Sequence, residues 1–427
     1  MSPPQINDAP GLKWRRIAAG WQAMWRARAD LVKRGYAFKG MRLWESSPGE
    51  PEPNEISKLF ISQRCIEFQD DMLLWARGGA EISAYDATWG GLVRAYRTDT
   101  DSPYLKKRYA TRQHYDKLCS KIIKDCGADK IEDTDARKLL RLHEGWIKPD
   151  DGKTQIKISM GHALIGMMRT ITTFGATLLK CQACRTIRSD LRDMRIKAGK
   201  PREEALTAEQ ATAIRNHAHT MVEPYRHSVA LAQAFQFDCT LRQKDVIGEW
   251  VPLDEPGPLS DVISGNEKWI RGLRAEEIDG NFILRHITSK REKMLTLDLK
   301  LCPMVMEEFR KMAGLGPLAA LERGHIPTSG PLIINEQTGS PWSPHTFRFA
   351  WRTIARACGV PDDVRSMDSR AGAITEALAA GAPMDAVRKG ATHSNASMTQ
   401  RYSRGDAEAV VEVLQHRAAH RNKSGNK

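Results

Sequence analysis

Ser366-Met367-Asp368-Ser369-Arg370 and, further on, Gly390-Ala391-Thr392-His393-Ser394-Asn395 and Met398-Thr399-Gln400-Arg401-Tyr402-Ser403 are the stretch on which the reading of this chain turns. His393 follows Arg370 by 23 residues, and Tyr402 follows His393 by 9. Taken singly these residues say little, since a lone Arg is usually an ion-pair partner and a lone Tyr half-buried packing. Two cations upstream extend the set. Arg242 stands in Cys239-Thr240-Leu241-Arg242-Gln243-Lys244-Asp245, a helix-forming stretch. Lys290 stands at the polar tip of an expected β-hairpin, with Phe282 to Ile287 and Met294 to Leu297 as its arms. The order Arg, Lys, Arg, His, Tyr is far more restrictive than any one member.

The surrounding composition narrows the class. A chain of 427 residues, 41% hydrophobic and 27% charged, suits two or three globular domains rather than one core. A formal charge of +13 points to an anionic partner. With no basic amphipathic membrane helix, lipidation signal, signal peptide or long apolar run, nucleic acid leads and membrane is excluded. The expected location is cytoplasmic, for a bacterium nucleoid-associated. Eight cysteines are scattered, and only Cys181 and Cys184 form a CxxC pair. With no second pair at zinc spacing, no metal is expected. The pair is placed inside a long helix, on one face, as reduced half-buried thiols rather than a redox or metal site.

Three segments follow from the breaks. Residues 1–87 are rich in Trp and Arg, with Trp14-Arg15-Arg16, Trp21, Trp25-Arg26 and Trp44. Lys13 to Gly35 reads as helix, or helix with short strands. Asn54 to Trp75 reads as an amphipathic helix with Leu59, Phe60 and Ile66 among its apolar positions. This segment either grips DNA or folds as a small core with arginines around it, and both readings stand open. Residues 88–200 read as all-helical: Leu105 to Lys124, Thr134 to Glu144, and Lys157 to Lys197 broken near Gly175. Lys106, Lys107, Arg108 and Arg112, and the face bearing Arg185, Arg188, Arg192 and Arg195, are DNA-binding candidates; a solvated charged face is the alternative. Residues 203–427 mix helices with the hairpin, beginning at a helix capped by Thr207 with Glu209 and Gln210 behind it.

With those residues quoted, the third segment resembles the catalytic domain of the tyrosine recombinases, the phage-integrase family. The likeness covers roughly 203 to 415 and includes Leu378-Ala379-Ala380-Gly381-Ala382 and Ser397 to Tyr402. A weaker match runs from Thr88-Trp89-Gly90-Gly91-Leu92-Val93 to Leu118, similar to the family's helical core-binding domain. The resemblance implies a mainly α fold with a small β-sheet in the C-terminal domain. A helical core-binding (SAM-like) domain and a mixed α/β catalytic domain would form a clamp on DNA, with residues 1–87 as an arm-type DNA-binding or interaction domain. It implies a site-specific recombinase that cuts and rejoins strands through a 3′-phosphotyrosine intermediate, for integration or excision of a mobile element. Its partners would be double-stranded attachment or recombination sites, a homo-tetramer on synapsed DNA, and room for an accessory directionality factor.

The carried-over roles make chemical sense. Arg242 and Arg370 would hold the non-bridging phosphate oxygens, with His393 donating to the same phosphate. Tyr402 would attack, and Lys290, with Lys293 in reserve, would protonate the leaving 5′ oxygen. Asp245 would orient Arg242. The phosphotyrosine conserves the bond energy, so no cofactor is expected. Two departures stand out. The family usually carries His three residues before the second Arg, where this chain has Met367, and Thr392 replaces the usual Gly before His393. A thioether cannot accept the phenol's proton. The alternative reading is therefore a catalytically weak or silent DNA-binding regulator on the same fold.

Overall fold

The computed structural model describes the chain apart from residues 1–2, 18–19, 37, 47–50, 77–84, 149–155, 201, 222–225 and 392–427. It divides into two units, Met1–Pro201 and Arg202–Lys427. Among the described residues no helix is long and apolar enough to cross a membrane.

The first unit holds two separate cores. The first is built on an antiparallel sheet, β1 (Leu12–Ile17), β2 (Gly20–Arg26) and, after a short α1 (Ala29–Lys33), β3 (Gly40–Glu45), packed against α2 (Glu55–Ala76). Strands thus replace most of the helix expected between Lys13 and Gly35. The turn at Gly20 needs a φ of +133°, which glycine alone adopts readily, and side chains then alternate between faces. One face carries Trp14, Ala23 and Trp25 toward the core. Trp25 is fully buried, with Phe38 and Phe68 ring centroids at 5.6 and 5.2 Å. That tryptophan serves as packing. Lys13, Arg15 and Arg42 remain exposed. The helix α2 forms where expected, but Leu59, Phe60 and Ile66 face solvent. Its buried stripe is Ile61, Cys65, Phe68 and Met72, an equally good helical spacing that the sheet selects.

The second core joins α3 (Trp89–Thr98), α4 (Tyr109–Cys126), α5 (Ala136–Ile147), α6 (Ile158–Thr177) and α7 (Gln182–Asp193). Thr88 caps α3 by accepting from the Gly91 amide at 2.9 Å. The indole of Trp89, fully buried, donates to Thr134 Oγ1 at 2.9 Å, which lets so large a polar-tipped side chain sit inside. The break expected near Gly175 falls later, at residues 178–181, where Lys180 takes a φ of +55°. Gly175 instead lies within α6, at a position where a side chain would strike Cys184.

The second unit runs α8 (Ala208–Thr220), α9 (His227–Asp238), α10 (Gln243–Ile247), β4 (Glu249–Pro252), β5 (Ile263–Ser264), β6 (Glu267–Ile270), β7 (Ile283–Ile287), β8 (Met294–Asp298), α11 (Pro303–Met312), β9 (Ile334–Asn335), β10 (Ser340–Pro341), α12 (Pro344–Ala357), α13 (Ser369–Ala379) and α14 (Met384–Gly390). Thr207 and Gln210 form the reciprocal capping pair at the head of α8. The expected hairpin is β7 with β8, in register from Ile283 opposite Asp298 to Ile287 opposite Met294. Two further small sheets, β4-β6-β5 and β9-β10, accompany it. The fold is mainly α with small sheets, one of them in the first unit, where helix or helix with short strands is the expectation from sequence. At the centre of the second unit α9 is buried along almost its whole length, packed by α8, α11 and α13.

Candidate active site

Arg242 is the N-cap of α10 rather than a residue inside a helix. It is held by Asp245, which is fully buried and accepts from the Arg242 backbone amide at 3.2 Å; its carboxylate lies 3.7 Å from the Arg242 guanidinium. The other oxygen of Asp245 accepts from the Ser289 amide at 2.6 Å. Ser289 immediately precedes Lys290, so a single buried carboxylate ties the Arg242 turn to the hairpin tip. The charge is compensated on both sides, which burial of a carboxylate requires. Lys290 and Lys293 are both exposed. The Lys293 backbone closes the turn by accepting from the Thr288 amide at 2.9 Å, and its own amide donates to Thr288 Oγ1.

Arg370 is the second residue of α13. Its guanidinium donates to the Thr240 carbonyl at 2.5 Å and to the Ala391 carbonyl. It therefore joins the segment leading into Arg242 to the one leading into His393. Thr240 adopts a φ of +50°, an unfavourable conformation for a β-branched residue, costing of order 1–3 kcal/mol. That conformation accompanies the turn of its carbonyl toward Arg370. Thr392, His393 and Tyr402 lie outside the described residues, as does the helix expected after Tyr402.

Met367 sits in a 3₁₀ turn, Ser366–Asp368, just ahead of α13, and is 60% exposed. It fills no core. Its neighbours are the reverse: Ser366, Asp368 and Ser369 are buried, and each is hydrogen-bonded. Asp368 accepts from Arg202 at 2.7 Å and from the Arg365 amide at 2.8 Å. Ser366 donates to Gln236 at 3.0 Å, while Gln233 donates to Ser369 at 3.1 Å and accepts from the Trp351 indole at 2.8 Å. Gly372 completes the seat, since a Cβ there would overlap the Leu206 carbonyl. The two glutamines carry only a faint signal in the sequence. They are two polar residues three apart within the otherwise apolar run Val229 to Phe237, which a buried helix tolerates only when they are satisfied.

Of the DNA-binding candidates, Lys106, Lys107, Arg185, Arg188, Arg192 and Arg195 are exposed, and Arg108 and Arg112 are half-buried. Arg112 donates to the Lys107 carbonyl at 2.8 Å, and Arg192 pairs with Asp193 at 3.0 Å. The structure brings Arg242, Asp245 and the Lys290 turn together, and ties Arg370 to both flanking segments. Among the described residues no group of three or more His, Cys, Asp or Glu side chains is placed to hold a metal ion.

No family model matches the chain. A stretch of 88 residues, 21% of this chain, is 31% identical to the tyrosine recombinase XerC of Bradyrhizobium diazoefficiens. The chain spans about a quarter of that curated relative, 27% of its length. Among solved structures, a lambda integrase dimer bound to a COC′ core site matches over 93% of this chain and 96% of the other, with a TM-score of 0.52 at 14% identity. A lambda integrase tetramer bound to a Holliday junction matches with the same coverage and TM-score, at 12% identity. At such identities the likeness carries the fold and leaves the chemistry to be argued from the residues.

Proposed function

We propose that this chain is a tyrosine recombinase that cleaves and rejoins duplex DNA through a 3′-phosphotyrosine formed at Tyr402, a reading its fold and its local likeness to XerC support. The observation that carries this reading is the Arg370 bridge, which gathers the segments leading to Arg242 and His393 around one guanidinium. Arg242 and Arg370 clasp the scissile phosphate and stabilise the charge of the pentacoordinate transition state. His393 donates to the same oxygens. Tyr402 attacks phosphorus, its phenolic proton leaves to a nearby acceptor, and the 5′ oxygen departs with a proton from Lys290. Asp245 keeps Arg242 and the Lys290 turn in one frame. Residues 203–427 supply this chemistry and residues 88–200 track the duplex. Residues 1–87 make a further DNA contact through the sheet face of Lys13, Arg15 and Arg42. The substrate is a pair of recombination sites of a mobile element, synapsed by four copies, with an accessory factor setting direction.

Tyr402→Phe tests the assignment on a nicked suicide substrate. The variant should bind duplex DNA with nearly unchanged affinity and form no covalent adduct. An adduct that persists removes Tyr402 from its role.

A second reading, a DNA-binding regulator that cuts weakly or not at all, is favoured by one observation. Met367 stands exposed where the family has a histidine, so no imidazole is available there to take the phenol's proton.

A further inference from the structure

The two half-buried cysteines stand at opposite ends of helices. Cys358 is the C-cap of α12, where its thiol donates to the Ile354 and Ala355 carbonyls at 3.2 and 3.4 Å, and burial pushes it above its ordinary value. Cys181 is the N-cap of α7, and its Sγ accepts from the Cys184 amide at 3.3 Å. A helix N-terminus favours a negative sulfur and a C-terminus opposes it. Neither effect would act on Cys181 inside a helix, the position its sequence context suggests. The Tyr85 hydroxyl lies 3.2 Å from Cys181 Sγ and 3.5 Å from Cys184 Sγ, so three reactive groups from two segments converge. Gly175 makes the room: a Cβ there would come within 2.5 Å of Cys184 Sγ, and the Gly175 carbonyl accepts from the Cys181 amide at 3.0 Å.

We propose that Cys181 and Cys184 form a redox-active dithiol, a modification site in which Cys181 is the nucleophile, Cys184 the resolving thiol and Tyr85 the hydroxyl donating to the attacking sulfur. Burial opposes a Cys181 thiolate, but the Tyr85 hydroxyl and the Cys184 amide outweigh it and hold the thiol below its ordinary range. Burial pushes Cys184 up to about 12 and Tyr85 higher still, so both remain proton donors at neutral pH. Cys239 and Cys302 have sulfurs 3.6 Å apart, but the contact between them and burial keep Cys239 protonated.

The co-reactant is a small disulfide such as oxidised glutathione. The Cys181 thiolate attacks one of its sulfurs, forming a mixed disulfide and releasing one thiolate. That thiolate takes the proton of Cys184, whose sulfur then attacks Cys181 Sγ and expels the second glutathione thiolate, which is protonated by solvent. The protein dithiol loses two electrons and two protons, and the small disulfide becomes two thiols. One helical turn brings the two Cα atoms within the roughly 4.4–6.8 Å a disulfide spans.

The whole chain, reduced and then exposed to oxidised glutathione, tests this by peptide mass. Cleavage after Lys180 and Arg185 releases Cys181-Gln182-Ala183-Cys184-Arg185, which should lose two hydrogens. Cys184→Ser should accumulate glutathione on Cys181 faster than on Cys358, whose thiol caps a helix C-terminus and is pushed up by burial. Cys181→Ser, which keeps a good N-cap and hence α7, should abolish the disulfide with an unchanged circular dichroism spectrum. Tyr85→Phe should slow the first step. Equal rates at Cys181 and Cys358, or glutathione retained on wild-type Cys181 without ring closure, would overturn the proposal.

Discussion

Met367 is the residue at which this chain departs furthest from an expected constellation, and its surroundings define what a change there would do. The side chain is 60% exposed, while the residues on either side are buried and hydrogen-bonded. The turn is therefore held by Ser366 and Asp368, and the side chain at 367 is free to vary. Met367→His should cost well under about 1 kcal/mol in stability, as surface exchanges do. Under the cleavage reading it supplies a proton acceptor for the phenol, worth about 10²–10⁴-fold when well placed. The expected outcome is faster cleavage of a suicide substrate at unchanged DNA affinity. A variant that folds and binds normally yet cleaves no faster would mean that another group already takes the proton. A wild type without detectable cleavage, rescued by this change, would favour the regulator.

At the scale of elements, the join between α8 and α11 carries a buried charge cluster. Arg215 and Glu308 are 1% and 2% exposed and lie 2.8 Å apart, while His219 meets the second Glu308 oxygen at 2.5 Å. Burial alone would raise the Glu308 carboxyl, but His219 and Arg215 outweigh it and hold it below its ordinary 4.5. A depressed carboxylate contributes stability that is present above that value and lost as pH falls through the folded one. Glu308→Gln leaves Arg215 with Glu307, 2.5 Å away, as its remaining carboxylate, and should cost about 1–3 kcal/mol for the lost buried partner. The loss should be largest at neutral pH and shrink in acid, where wild-type Glu308 is itself protonated. Denaturant melts at two pH values check this, and a penalty independent of pH would place the stabilisation elsewhere. The arginines of α7 pose a different question at the same scale. Arg185, Arg188 and Arg192 are exposed along a flank of α7, each the residue after a buried one, Cys184, Ile187 and Leu191. If they touch phosphates, replacing all three with Ala should flatten the slope of log K against log salt by about 0.9 for each phosphate no longer neutralised. An unchanged slope in a binding titration would mark them as a solvated face.

For the whole molecule, a net charge of +13 predicts DNA affinity that falls steeply with salt. Assembly is the sharper test. Val410, Val411, Val413 and Leu414 follow Tyr402 in a segment with helical spacing, outside the described residues. We expect it to dock on a neighbouring copy when two sites synapse. Truncation after Gly405 should keep single-site binding and lose the paired complex in a gel-shift assay. Full recombination by the shortened chain would count against exchange of this segment.

What the sequence alone determined was the set of chemical groups and the elements whose signals are local. The capping pair of Thr207 and Gln210 acts across three residues, and the alternation through β7 and β8 acts across neighbours, so both were legible. The order Arg242, Lys290, Arg370, His393, Tyr402 was legible as a motif, though its geometry was not. Tertiary structure decided the rest, because those choices depend on partners far away in the chain. Which stripe of α2 is buried depends on the sheet it meets, since Leu59 and Ile66 suit a helix face as well as Ile61 and Phe68 do. Whether Cys181 lies within a helix or caps one depends on how α7 packs on α6. The bond from Arg370 to Thr240 spans 130 residues, and the one from Ser289 to Asp245 spans 44. No local preference encodes such contacts. They arise when buried polar groups must find partners among whatever the packed core brings within reach.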